Sequence, residues 1–248
     1  MCWQMRRHIR AVIQDLSQPT LRESCQMKPV LVFDVNETLL DVDVLKPAFQ
    51  RTFGASDVLK EWFDAVILYS QTATILDEYQ DFSDLAKQAL HMVSSAKKMP
   101  LATSAEQEIL EGMLSLPAHP EVATALQYLK TFGFRLAALT NSAEKAAETQ
   151  LKNAGLWDLF DRVLSVEAVR RFKPAPETYA YAGSELGVLP KEMILVASHP
   201  WDIQGAVHAG LRGAFLNRAG TAWFKRELTP EFTAPDLEQL AQALVEAS

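Results

Sequence analysis

The feature that most constrains the fold is an alternation. Five apolar runs, each too short for a helix, are separated by stretches with helical periodicity. The runs are PVLVF at 29–33, RLAAL at 135–139, RVLS at 162–165, ILVA at 194–197 and GAFLN at 213–217. Short segments of this kind make strands buried on both faces, as in a parallel sheet covered by helices. The helical stretches at 120–131, 143–153, 176–186 and 202–209 each run into a glycine, the residue that readily closes a helix in a left-handed turn. Strand and helix in alternation imply right-handed βαβ units. The expected fold is therefore α/β, a doubly wound parallel Rossmann-like sheet that binds ligands at the carboxyl ends of its strands.

Residues 43–116 break this pattern. They carry helical periodicity at 58–75, 82–93 and 104–114 and no strand, which predicts a helical cap inserted into a core made of 28–42 and 117–248. Hinges are expected at 42–46 and 116–119, where Pro117 and Pro120 punctuate the return. A length of 248 residues suits one core plus a smaller insertion. Residues 1–27 stay unassigned. Arg6, Arg7 and Arg10 precede a helix-like stretch that reads as a surface helix, as chain upstream of a true start at Met27, or as a weak transit peptide.

Composition narrows the function classes. With 48% hydrophobic and 22% charged residues the chain is expected to be ordered and globular. A net charge of -7 argues against a general nucleic-acid surface while leaving room for a local basic pocket. Cys2 and Cys25 are the only cysteines, so no disulfide framework or cysteine metal site is expected in the body of the chain, and the cytoplasm is the default compartment. No apolar run approaches the ~20 residues of a membrane helix, so no membrane partner is expected.

Four polar groups follow strands. Asp34 follows the first run in FDVNETLLD (33–41), and Thr140, Asn141 and Ser142 follow the second. Lys173 lies in RRFKP ahead of a helix, and Asp202 closes SHPWD (198–202) after the fourth run. Each has a plain reading: Asp34 as a turn residue, Thr140 or Asp202 as a helix cap, Lys173 as a solvated charge. Together they place nucleophilic, hydroxyl and cationic groups at one end of one sheet.

This order of Asp, Thr/Ser, Lys and Asp resembles the four motifs of the haloacid dehalogenase superfamily over about residues 29–248. The wording FDVNETLLD, LTNS, RRFKP and SHPWD is similar to the (S)-2-haloacid dehalogenase branch, whose members read approximately FDxYGTLxD, LSNG, YKP and SNAWD. The resemblance implies a hydrolase that cleaves the carbon–halogen bond of a small 2-haloacid through an ester on Asp34, without a cofactor. It implies Asp34, Lys173 and Asp202 as the catalytic set, Lys173 keeping Asp34 ionised and Asp202 positioning Lys173 or the hydrolytic water. Thr38, Thr140, Asn141, Tyr179, Ser198, His199, Trp201 and Phe63 would bind the nucleophile or substrate.

Three departures bear on substrate. Asn36 stands where phosphatases of the superfamily have an acid that protonates the leaving group, which tilts the reading toward a halide, since halide leaves unprotonated. Phe63 takes the position of a cap Arg that engages the halide, with Tyr69 and Tyr79 in matching register and Lys60 one helical turn away. Ala197 and His199 replace a Ser and an Asn, and His199 could serve as a base or as a neutral hydrogen-bonding stand-in. The alternatives are a magnesium-dependent phosphatase using Asp34, Asp202 and the Asn36 carbonyl, and a catalytically weak relative with a binding role. A homodimer is a further expectation, with Trp62, Phe63 and Leu68 as either a dimer face or the cap's own core.

Overall fold

The structure is a computed structural model and describes residues 28–220, 222–224 and 228–248. The expectations for residues 1–27, including the two cysteines, fall outside them. Among the described residues six strands form one parallel sheet: β1 (Val30–Phe33), β2 (Leu136–Thr140), β3 (Arg162–Ser165), β4 (Met193–Ala197), β5 (Arg212–Leu216) and β6 (Phe232–Ala234). The order across the sheet is β3-β2-β1-β4-β5-β6. The first five strands are the five apolar runs, each within one residue of the expected bounds. β6 was not expected; it has three residues, with Thr233 exposed, too few to show a period.

Four helices make up the insertion that follows β1: α1 (Lys46–Phe53), α2 (Val58–Ile75), α3 (Phe82–Lys97) and α4 (Thr103–Gly112). The last three match the helical periodicity of the insertion. α1 escaped it, being eight residues with Pro47 in the first turn, stopped at Gly54 in the left-handed region. These helices bury apolar stripes against one another. Trp62 and Phe49 are fully buried with ring centroids 5.3 Å apart, and Trp62 Nε1 donates to the Ala86 carbonyl at 2.8 Å, tying α2 to α3. Trp62 and Phe63 are thus spent inside the chain, whereas Leu68 is 58% exposed. Two backbone hydrogen bonds form the neck of the insertion, Asp41 to the Pro117 carbonyl and His119 to the Leu39 carbonyl, each 2.9 Å. The stretch at 42–46 begins as a 3₁₀ turn capped by the Asp41 side chain.

The remaining helices, α5 (Val122–Thr131), α6 (Glu144–Asn153), α7 (Pro176–Leu186), α8 (Pro200–His208) and α9 (Leu237–Glu246), complete the α/β layers. The glycines after α5 to α8 all have positive φ, as the sequence implied. No helix among the described residues is long and apolar enough to cross a membrane. For the site, the decisive feature is the strand order. Strands are added in one direction from β1 to β3 and in the other from β4 to β6, and at the switch between β1 and β4 the loops leaving the two strands diverge and open a crevice at their carboxyl ends.

Candidate active site

Asp34 is the first residue beyond β1, at that crevice, and its N–H donates to the Val196 carbonyl at 3.0 Å. The carboxylate is therefore fixed to the sheet through both its own strand and β4. Thr38 lies one turn further on; its hydroxyl donates to Asp34 Oδ2 at 2.7 Å and accepts from the Ser198 N–H at 2.9 Å, bridging the β1 and β4 loops.

Lys173 reaches the same carboxylate from the loop before α7. Its Nζ donates to Asp34 Oδ1 and to Asp202 Oδ2, both at 2.7 Å, and to the Leu139 carbonyl at 3.1 Å. The three donors of a fully buried ammonium are all used. Its backbone N–H donates to Asn141 Oδ1 at 3.0 Å, which ties the lysine loop to the end of β2. Asp202, fully buried in the first turn of α8, accepts from Lys173 on one oxygen and from the Tyr179 hydroxyl on the other at 2.6 Å. Gly205 sits one turn further along α8, where an added Cβ would stand 2.8 Å from that hydroxyl and 2.4 Å from Pro174 Cβ; the close approach leaves no room for a side chain.

The electrostatics separate the two carboxyls. Burial works against ionisation of Asp34, but Lys173 and His199 outweigh it and hold the group well below the usual carboxylate range. Asp202 goes the other way, pushed up by burial and by the Asp34 charge in spite of Lys173. Burial disfavours the charged form of Lys173, yet Asp202 and Asp34 raise its pKa. Neighbouring groups pushed apart in this way mark sites that keep one carboxylate charged and desolvated.

His199 closes the crevice. Its Nε2 lies 2.7 Å from Glu37 Oε2 and its Nδ1 lies 3.4 Å from Asp34 Oδ2, an ion-pair separation without hydrogen-bond alignment. Burial would lower its pKa, but Asp34 and Glu37 raise it to about 10, so the imidazole is a cation at neutral pH and has no lone pair to offer as a base. The ring is stacked between Phe63, 6.4 Å away, and Trp201, 5.1 Å away. Lys60, by contrast, is exposed and paired with Asp64 on the outer face of α2.

The structure brings Asp34, Thr38, Thr140, Asn141, Phe63, Lys173, Tyr179, Ser198, His199, Trp201 and Asp202 into one cluster. Asp34, Asn36, Phe63, Thr140, Asn141, His199 and Trp201 line a small cavity together with Ile67 and Phe82. Tyr179 lies behind it, fully buried, and touches Asp202. Thr140 Oγ1 is turned to the Ser142 N–H at 3.1 Å. Glu37 and Gln150 were missed from sequence, and Ser142 was noted there only as following the second apolar run. Glu37 holds His199; its signal was a non-glycine residue where the motif pattern has Gly, and it adopts φ 62° in the left-handed region. Ser142 and Gln150 hold Asn36: the Asn36 amide donates to Ser142 Oγ at 3.4 Å and its carbonyl accepts from Gln150 Nε2 at 3.1 Å.

Comparison with known proteins gives a family match to haloacid dehalogenase-like hydrolases over residues 29–210. The chain is 30% identical to (S)-2-haloacid dehalogenase 4A of Burkholderia cepacia, over 87% of this chain and 91% of that one. It is 27% identical to haloacetate dehalogenase H-2 of Moraxella sp. (strain B), over 86% and 96%. Among solved structures it superposes with TM-score 0.80 and 26% identity on L-2-haloacid dehalogenase from Xanthobacter autotrophicus with chloropropionic acid covalently bound, covering 90% of this chain and 100% of that one.

Proposed function

This chain belongs to the haloacid dehalogenase-like hydrolase family, and from that premise we propose that it hydrolyses the carbon–halogen bond of 2-haloacids through an ester on Asp34. The observation that carries the reading is the ionised, nearly dry Asp34 carboxylate, oriented by Lys173 and Thr38 at 2.7 Å each, with Asn36 rather than an acid two residues on. A carboxylate stripped of water and held in one rotamer is an activated nucleophile. One Asp34 oxygen forms a bond to the α-carbon from behind as the halide departs with the bonding electrons. Water then attacks the Asp34 carbonyl carbon, releasing a 2-hydroxyacid and a proton and restoring the carboxylate. Neither step uses a metal or an organic cofactor.

The other groups fall into supporting roles. Lys173 keeps Asp34 charged, and Asp202 and Tyr179 are positioning residues that hold Lys173. Thr140 and Asn141, which line the cavity over Asp34, receive the substrate carboxylate. His199, as an imidazolium between Phe63 and Trp201, supplies the positive charge that the relatives' pattern places on a cap Arg at position 63. Residues 43–116 form the cap that closes over the substrate, on the core of 28–42 and 117–248.

A magnesium-dependent phosphatase is disfavoured by the donor set. Both Asp202 oxygens are engaged, the Lys173 ammonium lies between the two carboxylates, and the Asn36 side-chain carbonyl is bonded to Gln150. The reading is tested by halide and phosphate release across a panel of haloacids and phosphate esters, with and without EDTA. Halide release unchanged by EDTA is expected; phosphate release abolished by EDTA, with no halide release, contradicts it.

A further inference from the structure

Two residues of the site depart from the motif pattern as a pair. Glu37 stands where the pattern has Gly and His199 where it has Asn, and the structure joins them, His199 Nε2 to Glu37 Oε2 at 2.7 Å. Glu37 holds φ 62°, in the left-handed region that favours glycine. A side chain is kept there against the preference of the backbone, and its contact is with His199. The imidazole is clamped on three sides, by Glu37 at Nε2, by Phe63 on one face and by Trp201 on the other.

The clamp presents the other ring nitrogen to the nucleophile. Nδ1 is buried, has no hydrogen-bond partner and lies 3.4 Å from Asp34 Oδ2. The remaining donors divide the two carboxylate oxygens: Oδ1 receives Lys173 Nζ and Oδ2 receives the Thr38 hydroxyl, both at 2.7 Å. Oδ2 thus has two donor groups about it and Oδ1 has one, which leaves Oδ1 the freer lone pair for attack on carbon. The ester then forms on Oδ1, and Oδ2 becomes its carbonyl oxygen.

We propose that the His199 Nδ1–H, with the Thr38 hydroxyl, receives the oxyanion that forms on Oδ2 when water attacks the ester, and that Glu37 is the positioning residue that aims the ring. The inference rests on the reading of Asp34 as nucleophile. Water adds its oxygen to Cγ, and the carbonyl pair moves onto Oδ2. On collapse that pair returns and the Cγ–Oδ1 bond breaks; the departing oxygen keeps one of the water's protons as the product hydroxyl, and the other proton is released as the Asp34 carboxylate re-forms. Glu37 matters most at this stage. The charged groups facing the ring are Asp34 and Glu37, both from the loop after β1, while α2 contributes Phe63 and α8 contributes Trp201. In the ester Asp34 has lost its charge, so Glu37 alone holds the proton on His199 until Oδ2 turns negative beside it. A donor fixed in advance where charge develops is worth roughly a hundredfold to a thousandfold in rate.

The test is rapid-quench kinetics with 2-bromobutanoate, reading halide release and, by mass spectrometry, the ester on the Asp34 peptide, in the full chain and in three variants. His199→Gln keeps a donor for Glu37 and has nothing at the Nδ1 position. Glu37→Gln removes the charge, and Glu37→Gly, which suits the left-handed backbone, serves if Glu37→Gln does not fold. The expected result is a burst of halide in each variant, with ester accumulating on Asp34 as its hydrolysis slows roughly a hundredfold, while the first halide release falls by less than about tenfold. In Glu37→Gln the hydrolytic phase should also decline at lower pH than in the wild type, because no carboxylate then holds the proton on His199 in the ester. Equal slowing of both phases, or halide release without accumulating ester in every variant, overturns the proposal and leaves the Asp34 reading standing. Absence of halide release from the wild type overturns the Asp34 reading and this inference with it.

Discussion

Asp34→Asn should lower halide release by on the order of a thousandfold or more, because a carboxamide of nearly the same shape is a poor nucleophile. The fold should survive. The substitution removes one of two anions beside Lys173, and Asp202 at 2.7 Å still balances the ammonium. A local cost follows from donors facing donors: the new amide nitrogen meets either Lys173 Nζ or the Thr38 hydroxyl, worth about 1–3 kcal/mol. Circular dichroism should therefore be unchanged while the melting temperature falls by about 2–12 °C. A variant that keeps more than a few per cent of the wild-type rate, with deamidation to Asp excluded by mass spectrometry, would contradict nucleophilic catalysis.

Lys173→Met is expected to damage both stability and rate. It replaces a fully buried ammonium by an apolar chain of similar length and leaves Asp34 and Asp202 facing each other. Breaking a buried ion pair from one side costs about 3–5 kcal/mol, and like charges left together resist ionisation, so the pair will hold a proton that the wild type releases. In the wild type Asp34 lies well below the usual carboxylate range, so its ionisation is complete across the neutral and mildly acidic range and turnover should show no acid limb there. The stability due to that ionised state is present above the normal carboxylate pKa and is lost only as pH falls through the depressed one. In Lys173→Met the acid limb should move up toward neutrality, with kcat down by roughly a hundredfold or more at pH 7. Near-normal kcat and an unmoved pH profile would show that Lys173 does not set the charge of Asp34.

Much of this was legible in sequence because the informative residues sit at strand ends. Each apolar run fixes a strand, and the residue after it is placed at the mouth of the sheet whatever the details of packing, which is how Asp34 and Thr140 were found; Asp202, five residues past β4 in the first turn of α8, was readable through its motif. Lys173 was readable only through its motif, since the contact spans 139 residues of chain and depends on the loop before α7 folding back over β2. The weaker points are contacts between side chains that no period reports. Glu37 carried no role in the sequence reading, and its hold on His199 depends on a left-handed backbone that only the fold reveals. That contact changes the chemistry expected of His199, which sequence left open between a base and a neutral hydrogen-bond partner and which the two carboxylates make a cation. Gln150, on the inner face of α6, has no sequence signal that reports its bonds to Asn36 and the Met113 carbonyl. α1 and β6 were missed for a simpler reason, having too few residues to display a period.

The central claim is that the enzyme passes through an Asp34 ester whose carbonyl, not the substrate carbon, is attacked by water. It is tested most directly by a single turnover of 2-bromobutanoate in heavy-oxygen water with enzyme in excess, followed by mass spectrometry of the peptide containing Asp34 and of the hydroxyacid. The account predicts one heavy oxygen in the Asp34 carboxylate and none in the product hydroxyl. Heavy oxygen in the product hydroxyl with an unlabelled Asp34 would contradict it and assign the displacement to water acting directly on the α-carbon.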